Sequence, residues 1–122
     1  MTITTGSLGH GLGIGAGFAL GHPGSKVYVV MGDAELCEGR VWEAVTFAYA
    51  NRLNNLIAIV DWNKAGATGL TADMGIDRIR MRFAAFGWGT ASHMGELTQF
   101  RYSDKLGVPR AIVVSTTKGL IS

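Results

Sequence analysis

Two polar side chains with the chemistry of cation ligands follow two short apolar runs of the sequence. Asp33 comes after the first run and Asn63 after the second. A carboxylate, an amide oxygen and a backbone carbonyl suit a hard cation such as Mg²⁺, which keeps coordination positions for phosphate oxygens. Gly32 and Ala34 flank Asp33 with almost no side chain. They leave room for phosphates, which backbone N–H groups at the start of the following helix can receive.

A simpler interpretation fits the same residues. Gly-Asp after a strand is common because Asp caps a helix and Gly permits the turn. Asp-x-Asn, here Asp61-Trp62-Asn63, is likewise a common turn after a strand. On these residues alone, a phosphate–metal site and an ordinary pair of turns both stay open.

The elements around these residues predict an α/β fold. Continuous apolar runs of strand length indicate buried parallel strands, and they lie at residues 27–31, 56–60 and 111–115. Helical spacing follows Glu35, residues 76–86 are expected to be helical, and residues 12–20 form a glycine-rich helix that needs close contact with another backbone. The pattern favours a parallel sheet covered by helices on both faces. Ligands bind outside the carboxyl ends of such strands, so neighbouring strands would bring Asp33 and Asn63 together.

Composition limits the classes of function. The 122 residues suit one domain, and 48% hydrophobic with 16% charged residues suits a globular one. The charges are scattered, without the basic stripe of a nucleic-acid-binding protein. No apolar run reaches the length of a membrane span, and residues 1–5 carry no positive charge of a secretory signal. Cys37 is the one cysteine and is expected to be buried and structural. A cytoplasmic location is therefore expected.

Several ordered segments resemble a known family. The string Gly-Asp-Ala-Glu-Leu-Cys-Glu-Gly at residues 32–39, followed by Asn63, is similar to the thiamine diphosphate motif that begins Gly-Asp-Gly and ends in Asn. Further segments resemble transketolases in the family's order, and they lie at residues 5–11, 38–44, 55–61, 86–88 and 117–119. The resemblance runs from about Thr4 to Gly119, and it implies the thiamine diphosphate-binding fold.

The resemblance also implies the ligands of the cofactor. Asp33 and Asn63 would coordinate Mg²⁺ through their side chains, and Ala65 would do so through its backbone carbonyl. Gly32 and Ala34 would lie against the diphosphate. The whole chain, residues 1–122, would then be a single diphosphate- and magnesium-binding domain.

Other roles follow from the same resemblance. Leu8 would pack on the aminopyrimidine ring, and Glu38 matches a family glutamate that lies between the two active sites of a dimer and takes part in proton sharing. His10 would either touch the thiamine or substrate, or make a hydrogen bond at a helix terminus. Glu35 could stabilise the start of the following helix through the helix macrodipole.

The activity implied is that of a transferase, which moves a two-carbon ketol unit from a ketose to an aldose, with sugars or sugar phosphates as substrates. On this resemblance, the 122 residues are expected to be one subunit or a fragment, without the helical segment that precedes this domain in the family and without the pyrimidine-binding domain. Catalysis would therefore need a complementary domain or subunit of a split transketolase, in a homo- or hetero-oligomer. Alone, the chain is expected to be inactive.

Three departures from the family pattern keep alternatives open. Ala34 replaces the usual second glycine, and alanine disfavours positive φ, so the turn or the phosphate approach would change. The histidine-bearing segment upstream is missing, and the segment between Trp88 and Pro109 is shorter than expected. The alternative is a non-catalytic remnant or interaction subunit with the same fold. A ketoacid-decarboxylating synthase or dehydrogenase is disfavoured by the segments at residues 38–44 and 86–88.

Residues 11–16 also satisfy the dinucleotide-binding pattern GxGxxA. That pattern needs a strand, a tight turn and a helix in this order. The apolar periodicity predicts no strand before it, so a nucleotide-binding Rossmann domain is disfavoured.

Overall fold

A computed structural model describes residues 2–3, 9–62, 75–91 and 107–115. In this part of the chain, five strands form one sheet in which every neighbouring pair is parallel. The order across the sheet is β1-β2-β3-β5-β4. The strands are Thr2–Ile3 (β1), Val27–Gly32 (β2), Leu56–Trp62 (β3), Gly89–Ala91 (β4) and Arg110–Ser115 (β5). The three predicted strands and the α/β class are confirmed.

The helices also lie where the sequence predicts them. They are Gly11–Gly21 (α1), Gly39–Ala50 (α2) and Ile76–Ala85 (α3), and a short 3₁₀ helix, Asp33–Cys37, joins β2 to α2. Three- and four-residue steps put the apolar side chains of α2 on one face, and these buried residues are Val41, Ala44, Val45 and Ala48.

The main core lies on one face of the sheet. Alternate residues of β2, β3 and β5 meet buried side chains of all three α-helices there. A smaller apolar cluster of Ile57, Ala91 and Ile112 lies on the opposite face, where Val30 is 46% exposed. Within the described residues, helical cover is therefore confirmed for the first face, and the expectation for the second face stays a prediction.

Helix α1 is expected to pack closely against another backbone, and only one of its sides is buried. Its buried positions are Gly11, Leu12, Gly15, Ala16 and Ala19, which include two of its glycines. Three more glycines lie on the exposed side, where an added Cβ would meet no described atom within 4 Å: Gly13, Gly17 and Gly21. The buried glycines agree with close packing, whereas the exposed ones do not require it in this chain.

Asn55 aligns the start of β3 with the chain before β2. Its side-chain Nδ2 lies 3.1, 3.0 and 2.9 Å from the carbonyl oxygens of Ala19, His22 and Ser25. Its own carbonyl accepts the Val27 N–H at 2.8 Å. A buried amide with this many partners fixes the register of the two strands that lead to the candidate site.

Two short strands are not foreseen by the periodicity. The strand β1 comes before the GxGxxA pattern and pairs with β2, so the expectation that no strand precedes that pattern is wrong. Strands of two or three residues are too short for an apolar periodicity to reveal them.

Among the described residues, no helix is both long enough and apolar enough to cross a membrane.

Candidate functional site

The strands β2 and β3 are parallel neighbours, as the predicted site requires. Gly32 at the end of β2 is in register with Asp61 near the end of β3. The segments that follow these strands therefore leave the sheet at the same edge. Asn63 and Ala65 follow β3 but lie outside the described residues, as does Leu8. Their predicted contacts with the metal and the pyrimidine ring stay predictions.

Asp33 occupies a buried position at this edge. It is the first residue of the 3₁₀ helix and is only 4% exposed. Its Oδ2 has no hydrogen-bond partner among the described residues. Burying an ionised carboxylate without a partner is costly, and a cation would compensate for this cost. The position therefore fits a metal ligand.

The surroundings of Asp33 leave space on the side of Gly32. A Cβ added at Gly32 would meet no described atom within 4 Å. Within the described ranges, no three His, Cys, Asp or Glu side chains form a group that could hold a metal ion. The other ligands of a cation at Asp33 would be amide, carbonyl or phosphate oxygens, which Mg²⁺ accepts, or side chains outside the described ranges.

Ala34 does not strain the turn. It lies in the 3₁₀ helix Asp33–Cys37, and Arg52, with a φ of 54°, is the single non-glycine residue of the described ranges with a positive φ. The expectation that Ala34 alters the turn is therefore wrong, because the backbone here is right-handed and accepts a Cβ. Contact between Ala34 and the diphosphate stays a prediction.

Glu35 joins two separate segments of the site. One carboxylate oxygen accepts the Gly9 N–H at 3.1 Å, and the other accepts the Gly32 N–H at 2.9 Å. The bond to Gly32 lies in the first turn of the 3₁₀ helix, so the expectation that Glu35 stabilises the start of this helix is confirmed, through a capping hydrogen bond. The bond to Gly32 could be predicted from the local sequence, because the side chain of a Glu at the third helical position commonly accepts the N-cap N–H. The bond to Gly9 could not, because the two residues are 26 positions apart.

Gly9 fits closely beneath the start of α2. Its φ is +80°, and an added Cβ would lie 3.0 Å from both Arg40 Cγ and Glu38 Cβ. Only glycine combines this left-handed backbone with such a close approach. Gly9, the first described residue of the glycine-rich segment 5–11, is thus brought together with residues 32–39 at one end of the sheet.

Glu38 is half-buried beside Gly9 and begins α2 as its N-cap. Its side chain makes no capping hydrogen bond, and no other hydrogen bond or ion pair of its carboxylate is found within the described part of the chain. The carboxylate is therefore not required by the local fold. The predicted role of Glu38 between two active sites stays a prediction.

His10 is exposed at the N-cap of α1. Its Nε2 is hydrogen-bonded to Arg40 Nη1. Because a guanidinium can only donate, Nε2 must accept, which places the ring proton on Nδ1. The side chain makes no capping bond to α1, but its partner Arg40 lies in the first turn of α2, so a hydrogen bond at a helix terminus is present. Contact with thiamine or substrate stays a prediction.

Cys37 is exposed, so the expectation that it is buried is wrong. It ends the 3₁₀ helix, in which Leu36 takes the inward position.

Two tryptophans connect elements around the site. Trp42 Nε1 donates a 2.8 Å hydrogen bond to the Leu36 carbonyl and so connects the 3₁₀ helix to α2. Trp88 is 3% exposed and donates to the Val45 carbonyl at 3.0 Å. Both tryptophans hold elements together rather than offering stacking surfaces.

Comparison with known proteins identifies the family. Residues 1–103 match the family described as "Transketolase, thiamine diphosphate binding domain". The chain is 36% identical over 130 residues to one of the subunits of apulose-4-phosphate transketolase from Phocaeicola vulgatus. It is 36% identical over 128 residues to 6-deoxy-6-sulfo-D-fructose transketolase subunit SqwG of a Clostridium species. Each match covers 96% of this chain and 46% of the relative, so the chain spans about half the length of these relatives.

The fold agrees with this assignment. The crystal structure of transketolase from Campylobacter jejuni is similar over 93% of this chain and 21% of that protein, with a TM-score of 0.72 and 28% identity. The matched segment of the family includes β1 to β4, the Gly-Asp pair and the glycine-rich segment. This chain therefore belongs to the transketolase family, through its thiamine diphosphate binding domain.

Proposed function

We propose that this chain binds thiamine diphosphate together with Mg²⁺ and forms the diphosphate half of the active site of a ketol-transferring enzyme. The observation that carries the proposal is Asp33, a buried carboxylate whose Oδ2 has no partner among the described residues. It lies where β2 and β3 end side by side. A divalent cation there offsets the charge of the carboxylate and of a diphosphate.

The chain's own residues have defined parts in this proposal. Asp33 holds the metal, with the Asn63 side chain and the Ala65 carbonyl as its expected partners. The open side of Gly32 receives the diphosphate, and Ala34 borders it. When bound, the cofactor would supply the nucleophilic carbon that transfer of a two-carbon unit from a ketose to an aldose requires. The protein supplies position and metal.

Glu38 and His10 are proposed to act at the reacting end of the site. The Glu38 carboxylate makes no local hydrogen bond within the described residues, as suits a group that shares a proton across an interface. His10 is exposed at the start of α1 and is hydrogen-bonded to Arg40. In this proposal, its ring contacts the thiamine or the substrate.

A complementary subunit is part of the proposal. Two relatives that match nearly the whole chain are named as subunits of a transketolase, and each is about twice as long as the matched region. We infer that a pyrimidine-binding domain, on this protein's continuation or on a separate chain, completes the site within a homo- or hetero-oligomer.

The test of this proposal is the substitution Asp33→Asn. It keeps the size of the side chain and removes the charge that binds Mg²⁺. Calorimetric titration with thiamine diphosphate and Mg²⁺, with and without the complementary subunit, should show binding by the wild-type chain. The variant should lose metal-dependent binding by at least about tenfold, since hydrogen bonds and contacts to charged groups contribute about 1.5–3 kcal/mol. Its far-ultraviolet circular dichroism should not change.

Asp77→Asn is the matched control, because Asp77 is an exposed aspartate of α3 that pairs with Arg80. It should bind the cofactor as the wild type does. Retained affinity in Asp33→Asn would remove Asp33 from the metal site. If the wild type binds no cofactor even with the complementary subunit, the non-catalytic remnant or interaction subunit is the function left. One argument for that alternative is lost, because Ala34 does not distort the turn.

A further inference from the structure

Glu35 contacts both segments that would surround the cofactor. Its carboxylate accepts the Gly32 N–H, beside the proposed metal ligand Asp33, and the Gly9 N–H, beside Leu8 in the sequence. We propose that Glu35 is a positioning residue that holds the glycine-rich segment against the diphosphate-binding turn, so that the two parts of the cofactor site form as one unit. This inference rests on the proposed function.

The chemistry of the contact requires a carboxylate of this length. Two N–H groups point at one side chain, so both of its terminal atoms must be acceptors. Glutamine offers one acceptor and one amide nitrogen, which would face the second N–H donor to donor. Aspartate keeps both acceptors but is one methylene shorter, so it cannot span the same two donors. Glu35 is half-buried, and hydrogen bonds to an ionised acceptor are about twice as strong as neutral ones.

The geometry goes beyond the needs of a helix cap. A Glu at this position that only capped the 3₁₀ helix would need the Gly32 N–H, three residues away. The second hydrogen bond joins Glu35 to Gly9, which lies 26 positions away in the sequence and follows β1 in the chain. On the side where a Cβ would stand, Gly9 faces aliphatic carbons of Glu38 and Arg40. Packing against these carbons is non-directional, so the directional contact is the one to Glu35.

Coupling of this kind has a consequence for binding. If the bond to Glu35 is lost, Gly9 is no longer held against the Gly32 turn beside Asp33. The cofactor must then order the segment when it binds, and this ordering lowers affinity without any loss of a direct contact. Glu35 touches neither the metal nor the cofactor in the proposal, so its effect is expected on affinity through backbone position.

Two variants of the full chain test the inference, Glu35→Gln and Glu35→Asp, in the presence of the complementary subunit. Site-resolved amide hydrogen exchange should show faster exchange at Gly9 in both, while the amides of β3 and those of β2 before Gly32 keep their protection, since the Gly32 N–H itself donates to Glu35. Titration with thiamine diphosphate and Mg²⁺ should show affinity weaker by about tenfold to a hundredfold, the range for one or two hydrogen bonds to a charged group. Asp77→Asn is again the matched control, with unchanged exchange and affinity.

The outcomes separate this inference from the proposed function. Wild-type affinity in both variants, with Gly9 exchange accelerated, would overturn the positioning role while leaving the cofactor site intact. Unchanged Gly9 exchange would show that the carboxylate does not hold that segment. Failure of the wild type itself to bind cofactor would reject the proposed function. If both variants lose the fold, Glu35 is a residue of global stability and the inference is wrong.

Discussion

Asp33 shows how one residue can favour function over stability. A carboxylate that is 4% exposed, with one oxygen lacking a partner among the described residues, carries a desolvation cost. Replacing such a group by a neutral one commonly stabilises a fold. A carboxylate buried at this position is therefore better explained by ligand binding than by stability. The neighbouring Glu35 shows the opposite case, since both of its oxygens are satisfied by backbone N–H groups.

Ala34 allows a prediction at the residue scale. Because the backbone is right-handed there, Ala34→Gly should lower the free energy of unfolding by about 0.5–1 kcal/mol, the entropic cost of glycine. Cofactor affinity should stay within about threefold, because the methyl group of Ala34 borders the diphosphate without making a hydrogen bond to it. Urea unfolding and calorimetric titration measure the two quantities. A gain of more than about tenfold in affinity would mean that the Ala34 methyl obstructs the diphosphate.

Several contacts between elements hold the site in place. Trp42 binds the 3₁₀ helix to α2 through the Leu36 carbonyl, and Trp88 binds the chain after α3 to α2 through the Val45 carbonyl. The ring of Phe83 lies 5.3 Å from those of both Trp42 and Trp88. Helix α2 is thus the common support of the motif and of α3. Changes far from Asp33 are therefore expected to act on stability before they act on binding.

The packing of α3 on α2 gives a prediction at the element scale. Gly87 has a φ of +93°, and an added Cβ would lie 2.2 Å from Tyr49 Cε1. Gly87→Ala should destabilise the fold by about 2–4 kcal/mol, because backbone strain and overpacking both contribute. Gly17→Ala, on the open side of α1, is the matched change and should stabilise by about 0.5–1 kcal/mol. Urea unfolding measures both changes. If both variants unfolded at a lower urea concentration than the wild type, or both at a higher one, this account would be contradicted.

At the scale of the whole molecule, this chain corresponds to one part of longer proteins. It spans 46% of its subunit relatives and 21% of the Campylobacter jejuni transketolase. Among the described residues, apolar side chains also remain exposed at Val30 of the sheet and at Ile14 and Leu20 of α1. Single exposed apolar side chains of this kind are common on folded proteins and do not by themselves identify a partner.

The corresponding prediction concerns assembly. The isolated chain should show no ketol transfer above background, and activity should appear when the complementary pyrimidine-binding subunit is added, together with a larger species in size-exclusion chromatography. The physical reason is that the proposed site supplies the diphosphate and metal contacts only. A coupled assay of ketose consumption measures the transfer. Transfer by the chain alone, at the rate of the mixture, would show that no complementary subunit is needed.

The sequence alone determined the strands β2, β3 and β5, the three helices, the family and the residues proposed to bind metal and diphosphate. Those features are local: apolar periodicity defines an element, and a motif of adjacent residues defines its chemistry. Only the tertiary structure decided that Asp33 is buried with an oxygen that has no partner among the described residues, that Cys37 faces solvent and that the backbone at Ala34 is right-handed. It alone joined Glu35 to Gly9, because a contact across 26 residues depends on how the sheet orders its strands.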